Sequence, residues 1–438
     1  MNRTPRVTDP RIERARQAVA LVFAVNGIAF ASWASRGPAV RDSLDLTSGG
    51  FGLLLIAFSV GSLTALPLSG AIVARWGPAR TVVGGSLVVT AGLALAAVAI
   101  AAGSPWLTAA GLALVGLGIS SWDVAMNVEG ADVERRLGRS LMPRLHAAFS
   151  LGSVVGAGLG AGSAYFDVSV TAQLLVTAAV AFALAAYGTT SFVPVHVKAL
   201  LTGSGSAGSV LQAWKEPRTL LLGLMVLAFA LSEGIANDWL AIAMVDGYDA
   251  GEALGAATFG AFVATMTLAR LVGGRALERW GRPLVLRTTA VIGAAGVLLV
   301  VLGPSAPWAV AGTVLWGLGT SLGFPVGMSA AADDERRAAV RVSVVSSIGY
   351  TAFLAGPPLI GFFADEAGIL TALVVVPAAL ALGFVATRAA RPLPVGSTSV
   401  APVAVFGGVH RGHVPTPPEV PDVQQRDQHP VAGDPDEH

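Results

Sequence analysis

A carboxylate and an amide stand four residues apart twice in this chain, each time inside a long apolar stretch: Asp123 with Asn127, and Glu233 with Asn237. At that spacing the two side chains of each pair share one helix face. An ionisable group among apolar neighbours is costly and marks a working site by default. A buried carboxyl can load a proton on one side of a barrier and release it on the other, while the amide beside it hydrogen-bonds a polar solute. His146 adds a titratable ring, with Ser150 and Ser153 on its face; Asn26, Phe30 and Trp33 form a further stripe. The candidate proton-coupling groups are therefore Asp123, His146 and Glu233. The candidate substrate contacts are Asn26, Phe30, Trp33, Asn127, Ser150, Asn237, Trp239, Phe324 and Tyr350. Asp123 reads either as a proton carrier or as a structural partner of His146, and His146 either as a relay member or as a satisfied helix-end histidine. Glu129 reads as a structural ion pair, and Arg270 either as an ion pair between halves or as the ligand of an anionic substrate.

The elements that must carry these residues follow from hydropathy. The chain of 438 residues is 54% hydrophobic and only 13% charged, with mean hydropathy +0.68. A soluble domain carries about 25% charged residues, so lipid is the expected solvent. A spanning helix needs about 20 mostly apolar residues. Twelve such runs are present: 16–36, 50–73, 81–102, 106–128, 144–166, 171–193, 219–243, 252–274, 284–302, 308–330, 343–364 and 369–387. Asp123 then lies roughly 26 Å along the fourth span from Trp106, at 1.5 Å per residue, which puts it in the inner half of the bilayer, at a depth shared with His146. The first run lacks a small-residue cleavage site and reads as a retained helix.

Orientation follows from the bias of Lys and Arg towards cytoplasmic loops. With the N-terminus inside, all of the 28 Lys and Arg residues except Arg36 and Arg41 fall on the cytoplasmic side. The expected organisation is a cytoplasmic N-terminus (1–15), a six-helix bundle (16–193), a cytoplasmic linker (194–217), a second six-helix bundle (218–390) and a disordered cytoplasmic tail (391–438). The expected location is the bacterial inner membrane, multi-pass, with both termini cytoplasmic. His410, His413, His429 and His438 in the tail show no repeating spacing and read as solvated residues, not as a metal site.

The halves repeat each other. Gly70 to Pro78, around Arg75-Trp76-Gly77, matches Gly274 to Arg282, around Glu278-Arg279-Trp280-Gly281, at an offset of 204. Gly116-Leu-Gly118 followed by Asp132, Glu134, Arg135 and Arg136 matches Gly317-Leu-Gly319 followed by Asp333, Glu335, Arg336 and Arg337 at 201. Parallel repeats of this kind put a binding site near mid-bilayer, between the halves. The recurring charges read either as cytoplasmic ion pairs with Arg75, Arg80, Arg279 and Arg282 or as a solvated charged loop, and Arg75, Arg80, Glu129, Arg270, Glu278 and Arg279 are the gating or ion-pair candidates. At offset 201, Asp123, Asn127 and His146 correspond to Phe324, Met328 and Ser347, so the polar groups of the first half have no counterpart in the second.

The chain resembles the major facilitator superfamily through the motif G-x-x-x-D/E-R-x-G-R/K between spans 2 and 3 and again between 8 and 9. The second copy is complete; in the first, Ala74 replaces the acid and Pro78 the base. The resemblance implies an all-α membrane protein, twelve transmembrane helices in two pseudo-symmetric six-helix bundles, working by alternating access as the bundles rock. Trp122-Asp123-Val-Ala125-Met-Asn127 and Phe149-Ser150-Leu151-Gly152 further resemble the fucose-permease branch and bacterial permeases of unassigned substrate. In that branch the acid of the fourth helix carries a proton and its polar neighbours contact sugar. This chain has Asp for Glu, no Pro after Asn127, Ser150 for Asn, and Asn26 where the branch has a second acid.

Composition and motifs exclude other classes. With no cysteine, thiol and disulfide chemistry are impossible, and no phosphate-binding loop or metal-ligand spacing is present. No cofactor, no enzyme activity and no nucleic-acid partner is expected; a net charge of +1 argues against the last. The expected partners are a small-molecule substrate, a proton and the bilayer, with the chain monomeric. The expected function is secondary active transport of a small polar solute, sugar-like or another metabolite, with proton coupling. The alternatives are a proton/drug efflux antiporter and a transport-dead membrane sensor.

Overall fold

A chain in lipid must satisfy its own N–H and C=O groups, and the α-helix does so within one segment. The computed structural model describes residues 9–138, 141–193, 211–334 and 337–392. Arg3, Arg6, Arg139, Glu335, Arg336, most of the linker, the tail and its four histidines lie outside the described residues. Every described segment of length is helical: α1 (Pro10–Ala34), α2 (Gly37–Ser43), α3 (Ser48–Ala101), α4 (Pro105–Leu137), α5 (Met142–Tyr165), α6 (Val170–Thr189), α7 (Pro217–Tyr248), α8 (Glu252–Trp280), α9 (Arg282–Leu302), α10 (Ala306–Thr320), α11 (Gly323–Ala331), α12 (Ala338–Ala367), α13 (Ile369–Ala372) and α14 (Val375–Ala386).

Eleven helical stretches are long and apolar enough to cross a membrane, and one of them is 54 residues long. That one, α3, is two spans joined at Gly77 (φ 78°, ψ 164°), so twelve passes result. Gly281 has nearly the same backbone (φ 75°, ψ 155°) between α8 and α9. A Cβ is not tolerated in this region of φ and ψ, which is the physical reason both motif copies keep glycine at the turn. The tenth span is interrupted: α10 ends at Thr320 and α11 begins at Gly323, so the pass 306–331 contains an irregular turn at Ser321 and Leu322. The short α2 between the first two passes was not foreseen. We call the side holding the start of α1 the near side and the side holding α2 the far side.

Glycines set the closest helix contacts. A Cβ on Gly152 of α5 would lie 1.9 Å from the Ala24 carbonyl of α1, and one on Gly27 would lie 2.1 Å from the Phe149 carbonyl. Gly152 and Gly156 bring the fifth span into close contact with α1. Trp76, Trp106, Trp280 and Trp308 are exposed near helix ends, as membrane-interface residues are.

Candidate functional site

Asp123 sits midway along α4, half-buried, and no cation pairs with it among the described residues. Asn127, one turn on, donates to the Asp123 carbonyl at 2.9 Å, a bond that fixes the amide beside the acid. Across the molecule, Tyr350 of α12 lies close enough to feel the charge of Asp123. Tyr350 belongs to a row of rings: its centroid is 6.5 Å from Phe324 of α11 and 6.5 Å from Phe353 of α12. The structure thus brings together Asp123, Asn127, Tyr350 and Phe324 from both halves of the chain. Phe30 stands 6.3 Å from Phe58 of α3.

Glu233 and Arg270 meet. Arg270 Nη2 of α8 donates to Glu233 Oε2 of α7 at 2.9 Å, and its Nε donates to the Ser321 carbonyl at 3.0 Å. That carbonyl lies just past the end of α10, where a cation is favoured by the helix dipole. Arg270 therefore braces the interrupted pass as well as pairing the acid. His146 is exposed, packs edge-on against Phe23 at 5.4 Å, and lies near enough to Arg270 to feel its charge. It does not pair with Asp123, so the structural-partner reading is set aside: the aromatic contact holds the ring elsewhere.

Three expected substrate contacts are closed off. Asn26 is 1% exposed, and neither its amide nitrogen nor its oxygen has a partner among the described residues. Leaving such a group unsatisfied costs about 1–3 kcal/mol. Trp33 is buried, and Trp239 is packed edge-on against Phe51 of α3 at 5.8 Å with its Nε1 unpartnered. Trp239 belongs to the far-side seam between the halves. Ser150 is buried on α5, while Asn237 is half-buried on α7.

The far seam is held by charges that sequence reasoning did not assign. Arg41 grips Asp246 at the end of α7 through both guanidinium nitrogens, one bond being 2.9 Å. The hydrogen bond to Asp246 raises the Arg41 pKa above its ordinary value; burial opposes this, and Asp42 adds to it. Arg36 is buried, donates to Gln173 at 3.1 Å and to the Val168 carbonyl at 3.2 Å, and faces Glu252 at 3.5 Å. Burial lowers its pKa, and the Glu252 charge partly restores it. Asp365 of α12 accepts the Gly49 N–H at 2.9 Å. Deeper, Ser59 donates to the Phe353 carbonyl at 2.8 Å. Pro357 has no N–H to offer that carbonyl, so α3 supplies the missing donor.

On the near side the expected ion pairs form only in part. Asp132 bonds Arg135 and Arg136 of its own helix, and Glu134 accepts the Leu141 and Met142 N–H groups. Asp333 takes Arg282, as expected, and also Arg218. Arg75, Arg80 and Glu278 are exposed, without ion pairs among the described residues, and Arg279 lies over Trp280 at 5.5 Å. Glu129 is fully buried but accepts the Val193 N–H at 2.7 Å instead of joining an ion pair.

The comparisons with known proteins agree with this architecture. A family model described as Major Facilitator Superfamily matches residues 222–409. An uncharacterized transporter of Sinorhizobium fredii is 34% identical over 82% of this chain and 96% of its own. An uncharacterized MFS-type transporter of Yersinia pestis is 28% identical over 80% of this chain and 89% of its own. Among solved structures, a mutant of the nucleoside transporter NupG superposes with TM-score 0.74 at 13% identity, covering 86% of this chain and 99% of that one. A variant of the E. coli fucose:proton symporter FucP gives TM-score 0.58 at 16% identity, covering 86% and 98%.

Proposed function

Because the chain belongs to the major facilitator superfamily and is a multi-pass membrane transporter of that type, we propose that it moves a small polar solute by alternating access, driven by a proton gradient. The observation that carries this reading is Asp123: a carboxylate inside a spanning helix, unpaired by any cation among the described residues, beside Asn127 and within electrostatic reach of Tyr350 from the other half. A charge in that position is expensive. Taking up a proton removes the cost, and the protonated acid can donate to a solute hydroxyl. Asn127 supplies further hydrogen-bonding capacity, and Phe324 and Tyr350 supply ring faces that suit a sugar-like solute.

Residues 16–193 and 218–390 act as the rocking bundles, with the near side cytoplasmic, both termini inside and the protein in the bacterial inner membrane. The described state is closed on the far side by Arg41–Asp246 and Arg36–Glu252. Entry from outside begins when these pairs part. Arg270 holds Glu233 and the Ser321 carbonyl, so it acts as a brace and not as an open anion site.

Uptake by proteoliposomes, with and without an imposed pH gradient, over a panel of sugars, nucleosides and other polar metabolites tests the reading. Gradient-driven accumulation of one solute class, lost in Asp123→Asn while exchange persists, is the expected result. Gradient-driven extrusion of amphipathic compounds with no polar uptake assigns efflux instead.

A further inference from the structure

The second half carries an apolar slot that the transport reading does not use. It lies between α8, α9 and the break in the tenth pass, and holds about 610 Å³. Small residues of α8, Ala269, Gly273 and Ala276, form its floor together with Ser321 and Leu322 of the break. A Cβ on Gly273 would lie 2.6 Å from the Leu322 side chain, so α8 and the break already touch there. Leu268 and Val272 of α8 supply one wall, and Leu284, Thr288 and Ile292 of α9 supply the other. Leu268, Val272, Leu284 and Thr288 are exposed, so the slot opens on the outside of the bundle, where a multi-pass chain meets lipid. No charged residue lines it.

Its near end is different. Trp280, the last residue of α8, lines the slot there, and the guanidinium of Arg279 lies 5.5 Å from the centre of that ring. At about 100° per residue, Arg279 falls between Leu268 and Val272 around α8, on the slot's own face, and Arg275 falls about 20° outside Leu268. Glu278 points the other way, roughly 160° from the slot's midline. Arg275 and Arg279 are exposed and have no ion pair among the described residues, whereas Arg282 is committed to Asp333. An apolar trough therefore runs up to two uncommitted cations at the level of an exposed tryptophan, the residue type that marks a membrane interface.

The bilayer is the source of an occupant with that polarity. An empty trough forfeits the dispersion contacts of its lining, and a flexible hydrocarbon chain restores them. Basic residues at the inner ends of spans attract anionic lipid headgroups. We propose that this slot binds one anionic phospholipid, with an acyl chain lying between α8 and α9 against Leu322 and the phosphate held by Arg279 and Arg275 beside Trp280. A guanidinium grips phosphate oxygens through two parallel hydrogen bonds. A zwitterionic headgroup brings the same phosphate with a cation that these arginines repel, so the site discriminates by headgroup charge. The chain meets the break from the lipid side, while Arg270, about 120° round α8 from the slot's midline, holds the Ser321 carbonyl.

The test needs no transport substrate. Full-length protein in detergent is titrated with dioleoylphosphatidylglycerol or with dioleoylphosphatidylcholine, whose chains are identical, and bound lipid is counted by native mass spectrometry beside the thermal unfolding temperature. One phosphatidylglycerol per chain should be retained at concentrations where phosphatidylcholine is not, and it should raise the unfolding temperature. Arg279→Ala and Arg275→Ala should each weaken its retention about fivefold, and Arg279→Lys should keep the preference for the anionic lipid. Thr288→Phe, which fills the slot from an exposed position of α9, should displace the lipid with both arginines intact, and the lipid-free variant should unfold no lower than the parent. Equal retention of the two lipids overturns the proposal. Retention untouched by Thr288→Phe, or glycerol phosphate competing as well as the whole lipid, shows a phosphate site without a chain and overturns it too. A dimer that forms on lipid removal and is lost in Thr288→Phe gives the slot to a second copy of this chain instead.

Discussion

Removing the Arg41 side chain should open the far side by an amount that the geometry allows to be estimated. Arg41 and Asp246 form a two-pronged ion pair with side-chain exposures of 12% and 30%. An exposed pair contributes at most about 1 kcal/mol, whereas hydrogen bonds to charged groups in partial burial contribute about 1.5–3 kcal/mol. Taking the lower bound of the second range, Arg41→Ala costs the closed state ~1.5 kcal/mol, which is about tenfold in the closed-to-open ratio. Arg36–Glu252 is longer, 3.5 Å, and Glu252 is 40% exposed. Neutralising Glu252 should therefore cost only about 0.5 kcal/mol, roughly twofold.

The chain has no cysteine, which makes the assay clean. Ile242 of α7 is fully buried, with its side chain 3.8 Å from a Cβ built on Gly37. A thiol placed there by Ile242→Cys reacts with a membrane-impermeant reagent from the far side only when the seam opens, so its labelling rate follows the open population. Arg41→Ala should raise that rate about tenfold and Glu252→Gln about twofold, by the same free energies. The exchanged pair Arg41→Asp with Asp246→Arg should return the rate towards that of the parent. A labelling rate indifferent to Arg41→Ala would refute the claim that this pair holds the seam.

Three further outcomes are expected. Asp123→Asn, whose amide mimics the protonated acid, should lose gradient-driven accumulation while keeping solute exchange; unchanged pH-dependent accumulation removes Asp123 from coupling. Gly281→Ala forces a Cβ into a backbone region that costs about 1–3 kcal/mol and should lower the thermal unfolding temperature, whereas Gly274→Ala, in open helical space, should not. Glu216 is held below the usual carboxylate range: burial alone would raise it, but hydrogen bonds from Arg341 and Thr219 and the charges of Arg341 and Arg337 prevail. Its contribution is therefore complete above the ordinary carboxylate pKa of about 4.3 and fades as pH falls through the lowered one, so the stability gap between parent and Glu216→Gln should close in acid and persist at neutrality.

The helices were legible because lipid imposes one rule on every span: apolar length with internal hydrogen bonds. Irregularities were harder. The join at Gly77 was visible as a conserved position between the two motif copies of this chain, Gly77 and Gly281, because a special backbone demands glycine. The break at Ser321 and Leu322 left no such mark; Ser and Leu sit equally well in a continuous apolar helix, and what holds the break is Arg270 reaching over from α8.

The site was legible in the same uneven way. Spacing within one helix put Asn127 beside Asp123, since a four-residue interval fixes a shared face. Partners from other helices obey no interval, so Glu233 and Arg270 could be named as candidates but not as a pair. The near-side charges were legible only in part for a related reason: Asp333 takes Arg282 as expected, but equal positions in a repeat do not guarantee equal partners, and Asp132 finds its cations on its own helix. Arg36 and Arg41 did carry a signal. They were the exceptions to the positive charge bias, and a cation kept on the unfavoured side of a membrane is being held there by something. That something is an acid at the far end of the second half, Asp246 for Arg41 and Glu252 for Arg36. An exception to a composition rule therefore points to a contact between the two halves, which the residues obeying the rule do not.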